Sequence, residues 1–391
     1  MSTSKERIAA MLAKHKLGTA SAPAKQARAA VKIDSILDEL SLPSLPALDS
    51  AIGSNSATSF LDEAASTIPV TFIELGAGEI DPRLKLMSHS SRTTMHKCPR
   101  KNQLYRLGSR KISLKTEKES EQGVTFAYGH AVGTGVASAL ENPNNPDKVI
   151  LETFLAWDTH LLDETPRQNK SYWLAQFAVQ KFQSLLSDGF LDDYELVYYQ
   201  GKPAIELSFC IHMPDGFTYR GFVDAVLKHK TTGEIMVLEN KTSSGTANSA
   251  MYKNSGQAVG YSVVLDILFP ELSSYLVLYL VYETKSYDYV ELPFRKSLLQ
   301  RALWLQELLI DVERIKLYES FNTHPMHGEA CFDFFRDCEY LSLCTMSTEN
   351  LARGHELTQE VVDSIAEDLA KYQFHVDFYD LVASQIDKGN S

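Results

Sequence analysis

Residues 219–242 read Tyr-Arg-Gly-Phe-Val-Asp-Ala-Val-Leu-Lys-His-Lys-Thr-Thr-Gly-Glu-Ile-Met-Val-Leu-Glu-Asn-Lys-Thr, and Asp224, Glu239 and Lys241 are the groups in it that could do chemistry. Apolar-rich runs on either side of Thr231-Thr-Gly-Glu234 predict a hairpin. A turn centred between Thr232 and Gly233 sets Asp224 opposite Lys241 and Val226 opposite Glu239. Side chains alternate along a strand, so Asp224, Glu239 and Lys241 share one face and the two carboxylates become diagonal neighbours. A one-residue slip would separate them. Two carboxylates with the backbone carbonyl of Asn240 make an oxygen-ligand set suited to Mg²⁺ or Mn²⁺. Such an ion acidifies a bound water and stabilises charge on a phosphoryl oxygen. Lys241 could orient or deprotonate that water, or stabilise the developing charge. The tripeptide Glu-x-Lys alone is a weak signal, for which a charge pair across a hairpin is the plain alternative. A second copy, Glu283-Thr-Lys285, has no preceding Asp in matching register.

Downstream, Gln257-Ala-Val-Gly-Tyr261 places Gln257 and Tyr261 one helical turn apart, where they could hold a phosphate or orient Lys241. Gly-Phe-Val-Asp, then Glu-Asn-Lys-Thr, then Gln-x-x-x-Tyr, in that order, resembles the RecB-like branch of the PD-(D/E)XK nuclease superfamily. The resemblance implies an α/β (α+β) restriction-endonuclease-like core, a mixed sheet flanked by helices. It implies that Asp224 and Glu239 ligate metal, that Lys241 is catalytic, and that Gln257 and Tyr261 support the site. It also implies an upstream histidine ligand. His130 is the candidate, although the usual Gly-x-x-hydrophobic-His spacing falls on Gly133; a helix-start or core histidine is the alternative. Glu206 stands on a strand where members often carry a glutamate, in a supporting or structural role.

Five cysteines in 391 residues is an odd number without a signal peptide, which argues for thiol or metal chemistry over a disulfide framework. Cys331, Cys338 and Cys344 cluster with six and then five residues between neighbours. Four-thiolate ligation needs a fourth, and Cys98 is the best candidate. Cys210, beside Phe209 in a strand, reads as a buried hydrophobe. One cysteine before the core and three after it resembles the iron–sulfur nucleases of the same branch, the AddB-type, CRISPR-associated and phage exonucleases. That implies a [4Fe-4S] cluster clasping the ends of the domain. The last-three spacing is wider than in many members, which leaves zinc or reduced thiols open.

The formal charge of −12 excludes a general DNA-coating protein but not a local basic groove. Such a groove is suggested by Lys97, Arg100, Lys101, Arg106, Arg110, Lys111 and Lys115 with Tyr105 interleaved, a pattern that could track a DNA backbone; a solvated helix face is the alternative. The start of the chain lacks a signal peptide's apolar core, and no apolar run reaches membrane-span length. The expected setting is the cytoplasm of a bacterial or phage-infected cell, with no membrane association.

The elements that must position these groups follow from patterning. Residues 1–65 read as a flexible arm with short amphipathic helices, either a tail or a docking site for a protein partner. Residues 66–345 read as the nuclease domain: helices over Ser91 to Leu107, broken at Pro99, then Val132 to Leu140, Val149 to Leu161 and Tyr172 to Ser187. Strands follow at Tyr194 to Tyr199, Ala204 to His212, Tyr219 to His229 and Glu234 to Lys241. A helix over Ser255 to Leu268, strands over Tyr275 to Tyr282 and Tyr287 to Pro293, and a helix over Lys296 to Tyr318 complete it. Residues 346–391 read as a helical C-terminal extension. The function expected is a metal-dependent DNA exonuclease of recombination or repair, acting on ends or single strands. The alternative is a catalytically silent DNA-binding or assembly subunit.

Overall fold

The computed structural model describes residues 72–76, 78–108, 123–157, 170–272, 274–333, 336–345 and 356–389. The N-terminal arm and Arg110, Lys111 and Lys115 lie outside the described residues.

In chain order the strands are β1 (Leu86–Met87), β2 (Tyr194–Leu196), β3 (Tyr198–Tyr199), β4 (Lys202–Pro203), β5 (Ile205–His212), β6 (Thr218–His229), β7 (Ile235–Ser243), β8 (Tyr275–Glu283), β9 (Asp288–Lys296), β10 (Phe332–Asp333), β11 (Arg336–Asp337) and β12 (Phe374–Asp377). The helices are α1 (His89–Lys97), α2 (Pro99–Arg106), α3 (Val124–Glu141), α4 (Pro146–Leu155), α5 (Tyr172–Ser187), α6 (Ser249–Lys253), α7 (Gly256–Leu268), α8 (Leu298–Ser320), α9 (Gln359–Ala370) and α10 (Phe378–Gly389). Serines set several helix starts. Ser171 accepts from the Leu174 amide, and Ser88 and Ser297 form reciprocal capping boxes with Ser91 and Gln300.

Eight strands make one mixed sheet, ordered β12-β5-β6-β7-β8-β9, with β1 and β2 both paired to β6. The run β5-β6-β7 is antiparallel, whereas β7 and β8 are parallel. Parallel neighbours need a crossover, and α7 supplies it. Burial on both faces explains why β8 reads Tyr-Leu-Val-Leu-Tyr-Leu-Val-Tyr without alternation. On one face Val226, Val237, Val277 and Val281 pack with Val263 of α7, Leu308 of α8 and Leu381 of α10. On the other, Ala225, Leu238, Leu278 and Leu280 pack with Ala131 of α3 and Val179 of α5. Close approach of α3 to α5 requires glycine at 135, where a Cβ would stand 2.4 Å from Val179 Cγ2 and 2.5 Å from Thr153 Oγ1.

The C-terminal extension differs from the all-helical reading. Phe374-His-Val-Asp forms β12, parallel to β5 at the sheet edge. Its Phe374 and Val376 are buried while His375 and Asp377 are exposed. Four residues of alternation between two helical patterns are too short a signal to separate from a loop. The extension is further tied to the core by α10, from which Gln385 and Lys388 both contact Asp266 of α7, which also pairs with Arg301 of α8. No helix among the described residues is long and apolar enough to cross a membrane.

Candidate active site and cysteine cluster

The hairpin β6–β7 lies in the middle of the sheet, and its register is two residues from the expected one. Ala225 pairs with Leu238 and Val226 with Val237, so the ladder continued sets Asp224 across from Glu239. The turn is responsible. The His229 amide donates to the Glu234 carbonyl at 2.8 Å, and the loop spans residues 230–233. His229 Nδ1 accepts the Thr231 and Thr232 amides at 3.2 Å each. Gly233 closes the loop at φ 73°, a conformation that glycine adopts without steric cost. A shift of two residues preserves side-chain parity, so the carboxylates still come together, more directly than expected.

Next to the pair the β5–β6 ladder breaks. Ile205 pairs with Ala225 and Leu207 with Val223, but between them Glu206 takes φ 49°. This strained position brings Glu206 into the electrostatic field of Asp224 and Lys241. Across a small cleft, Gly133, Val136 and Ala137 of α3 face Glu206, Asp224 and Asn240.

The Asn240 amide donates to Asp224 Oδ2 at 2.9 Å, and Lys241 Nζ meets Glu239 Oε1 at 2.5 Å. Glu239 is fully buried, and the ammonium contact is an ion pair without the alignment of a hydrogen bond, leaving both carboxylate oxygens without an aligned donor. Burial, then the proximity of Asp224, push the Glu239 carboxyl up to about 8. Burial also raises Asp224, against the pull of Lys241 and the Asn240 amide. Glu206 is pushed up to about 7 by burial and then by Asp224. Burial opposes charge on Lys241, but Glu239 and Asp224 outweigh it and hold the ammonium protonated. Glu239 and Asp224 thus share one lysine in a low-dielectric setting, with the solvent-exposed Glu206 at its edge, and buried charge without full compensation is costly. A divalent cation would supply the missing charge, so the residues present fit a metal. Asp224, Glu239 and the Asn240 carbonyl are the groups that would hold it.

The supporting residues divide. Gln257 Nε2 donates to Tyr261 Oη at 2.6 Å, and the buried Tyr261 hydroxyl feels both Glu239 and Asp224. This helix pair therefore backs the carboxylates. His130 is not brought into the group: its ring is exposed, and Nδ1 lies 3.1 Å from the Ala156 carbonyl at the end of α4. The charges acting on Asp224 and Glu239 come from each other, Lys241 and Glu206, and not from His130. Gly133, one turn on, lines the cleft together with Val136, Ala137 and Leu140 of α3.

The histidine beside the site is one that sequence reasoning missed. His89 opens α1, and burial followed by Lys241 and Arg92 lowers it to about 4, which keeps it neutral. A serine capping box at Ser88 was the available signal for its place at a helix start. Arg92 anchors α1 to α8 through Asp311 at 2.6 Å, with His96 on the same carboxylate at 2.7 Å. The second Glu-x-Lys has a loop-fixing role: Glu283 accepts the Ala247 amide at 2.6 Å and the Ser286 hydroxyl at 3.0 Å.

The four clustered cysteines are brought together. Burial and then Cys98 raise the Cys344 thiol, with Cys331 and Cys338 acting on it as well. Two segments more than 230 positions apart are stitched around them. The Arg100 amide donates to the Pro325 carbonyl at 3.1 Å, His327 Nδ1 meets the Lys97 carbonyl at 2.9 Å, and the Cys338 amide donates to the Cys331 carbonyl at 2.8 Å. Among the described residues, no three of these sulfurs lie within 4.8 Å of one another. One tetrahedral zinc ion with Zn–S bonds of 2.3 Å needs sulfurs about 3.8 Å apart. As placed, no three of the thiols meet that spacing.

Arg100, read as DNA-facing, is instead buried and donates through Nε to the Cys344 carbonyl at 3.3 Å. Its place in the first turn of α2 turns it toward the thiols. Lys101 is half-buried, Tyr105 exposed, and Arg106 stacks on the Tyr105 ring at 5.9 Å. Burial, followed by Arg220, lowers Arg106 to about 10.

Neither a protein-family model nor a curated protein matches the sequence. Among solved structures the chain is similar to the crystal structure of SSO0001, at 13% identity, over 51% of this chain and 77% of that one, with a TM-score of 0.22. A likeness at that level carries no argument about fold or activity.

Proposed function

We propose that this protein is a metal-dependent deoxyribonuclease of the PD-(D/E)XK type, in the RecB-like branch, acting on DNA ends or single strands. The observation that carries the reading is the fully buried Glu239 paired with half-buried Asp224, with Lys241 beside them, on a central hairpin where a cation would offset the carboxylate charge. Bound Mg²⁺ or Mn²⁺ would acidify a water and stabilise charge on the scissile phosphate. Asp224 and Glu239 hold the ion's place, the Asn240 amide fixes the Asp224 carboxylate, and Tyr261 packs behind the pair. Lys241, kept protonated, is set to donate to a phosphoryl oxygen or to the attacking water, an electrostatic role rather than a basic one. The neutral His89 next to it, whose protonation burial, Lys241 and Arg92 oppose, offers a hydrogen-bond acceptor rather than a proton acceptor. Tyr105 and Arg106 offer a stacking and phosphate-binding edge.

Cys98, Cys331, Cys338 and Cys344 would hold a [4Fe-4S] cluster that clasps α2 to the segment after α8. Incubation with end-labelled single- and double-stranded DNA in Mg²⁺, Mn²⁺ or EDTA tests the activity. Shortened products with metal and none in EDTA are expected; undiminished digestion in EDTA would remove the metal mechanism. Absence of digestion under every condition would favour a silent DNA-binding subunit.

A further inference from the structure

Outside the carboxylate site and the cysteine cluster, a third group of metal-ligating side chains sits at the sheet edge. Cys210 and His212 are two apart on β5 and so point to the same face. On the parallel neighbour β12, His375 lies directly across from Cys210. The inner-facing residues Phe209, Ile211, Phe374 and Val376 are in the core, which leaves Cys210, His212 and His375 together on the outer face. One ligand atom from each of the three lies within 4.8 Å of the others. His212 Nε2 and His375 Nδ1 are 3.0 Å apart, with the rings stacked at 15°. We propose that Cys210, His212 and His375 form a second metal site, for zinc or a similar borderline divalent ion, that pins the C-terminal strand β12 to the edge of the sheet.

The chemistry of the donors selects the ion. One thiolate and two imidazoles suit Zn²⁺, Co²⁺ or Ni²⁺ and not the Mg²⁺ of an all-oxygen site. Two imidazole nitrogens on one tetrahedral zinc stand about 3.3 Å apart, given Zn–N bonds of 2.0–2.1 Å. The 3.0 Å separation requires only a few tenths of an ångström of adjustment and the exchange of a shared proton for an ion. The geometry also divides the labour: Cys210 is fully buried and supplies the anchor, while the exposed histidines leave the fourth position open to water. Burial pushes the Cys210 thiol up to about 11, so an ion must displace its proton on binding; Arg220, directly across from Cys210 on β6, partly offsets this and favours the thiolate that remains.

The ion would act on the architecture rather than on the phosphodiester. Strand β12 leads straight into α10, whose Gln385 and Lys388 reach Asp266 of α7. The same α7 carries Gln257 and Tyr261 behind the carboxylates. Fixing β12 therefore fixes the layer that backs the candidate active site. The signal in the sequence was Cys-x-His on one strand face; its partner lies 163 positions further along the chain.

The test is zinc competition against a chromogenic chelator, using the full chain with whatever its four clustered cysteines hold left in place, in the parent, the double variant H212Q/H375Q and C210S. Both histidines are exposed, so the double variant should fold, which circular dichroism and thermal melting without added zinc verify. The parent is expected to bind zinc at this site, and H212Q/H375Q to bind it about 100-fold more weakly. Zinc should raise the melting temperature of the parent but not of H212Q/H375Q. In a Co²⁺ difference spectrum, the parent should gain a thiolate charge-transfer band that C210S lacks. Equal zinc affinity and equal melting shifts in parent and H212Q/H375Q, or no parental binding tighter than millimolar, overturn the proposal.

Discussion

The central hairpin and the cysteine cluster concentrate reactive groups by opposite means. In the hairpin, Asp224, Glu239 and Lys241 come from adjacent strands of the central sheet, where pairing with β8 fixes Glu239 and Lys241 and the Asn240 amide holds the Asp224 carboxylate. In the cluster, Cys98 comes from a helix junction and the other three from short turns and the ends of two-residue strands, joined across more than 230 positions. The first arrangement is rigid before any ion binds and holds its charges at an electrostatic cost. The second has little regular structure of its own, and its stability would rest on what its sulfurs bind. Losing a ligand should therefore cost the hairpin its chemistry and the cluster its fold.

The largest effect is expected at the cluster. Cys98→Ser should bleach visible absorbance and destabilise the chain by up to about 4–5 kcal/mol, the value for an ideal crosslink closing so long a loop. Cys210→Ser should leave the colour intact. Retained iron and an unchanged melting temperature in Cys98→Ser would contradict the clasp. Somewhat smaller in energy, Lys241→Ala should lower the rate of DNA hydrolysis by about 10²–10³ while melting within a few degrees of the parent. A rate loss matched by a comparable loss of fold would erase the distinction drawn between the two regions.

Packing gives the next test. Gly135→Ala forces a methyl into Val179 and Thr153 and should cost roughly 1–3 kcal/mol by denaturant unfolding, since the α3–α5 contact cannot open without moving the cleft wall. A neutral result would mean that α3 can shift at no cost.

The smallest effect is a pH dependence. Burial and Asp224 raise the Glu206 carboxyl from 4.5 to about 7 in the folded chain. A carboxyl raised on folding takes up protons in the native state, so its penalty is absent below pH 4.5 and complete above pH 7. In EDTA, Glu206→Gln should match the parent near pH 4.5 and be more stable at pH 7.5 by roughly 1 kcal/mol, the gain being reduced by the side chain's exposure to solvent. A difference that does not change with pH would place Glu206 outside the charged group.

Much of this was legible in the sequence because it is local. The α5 bounds, the break at Pro99 and the strands on either side of residues 231–233 follow from periodicity and turn chemistry over a few residues. The carboxylate pairing was legible in parity but not in register. A four-residue loop ending in a left-handed glycine and one two residues shorter leave the same alternation. What sequence could not supply depended on distant chain segments. His89 reaches Lys241 only because Arg92 docks α1 on Asp311, and Arg100 is buried only because the Cys344 segment folds over it. Strand β12 is a strand because β5 offers an edge.

The central claim, that the Asp224–Glu239 pair is the metal-holding centre of a nuclease, is tested most directly by single-turnover digestion of end-labelled DNA at saturating Mg²⁺. The variants to compare are Glu239→Gln and Glu283→Gln, which alter the two Glu-x-Lys sequences in turn. The account predicts at least about 10³-fold loss in Glu239→Gln and a rate within about twofold of the parent in Glu283→Gln. Full activity in Glu239→Gln, with the loss falling on Glu283→Gln, would contradict it.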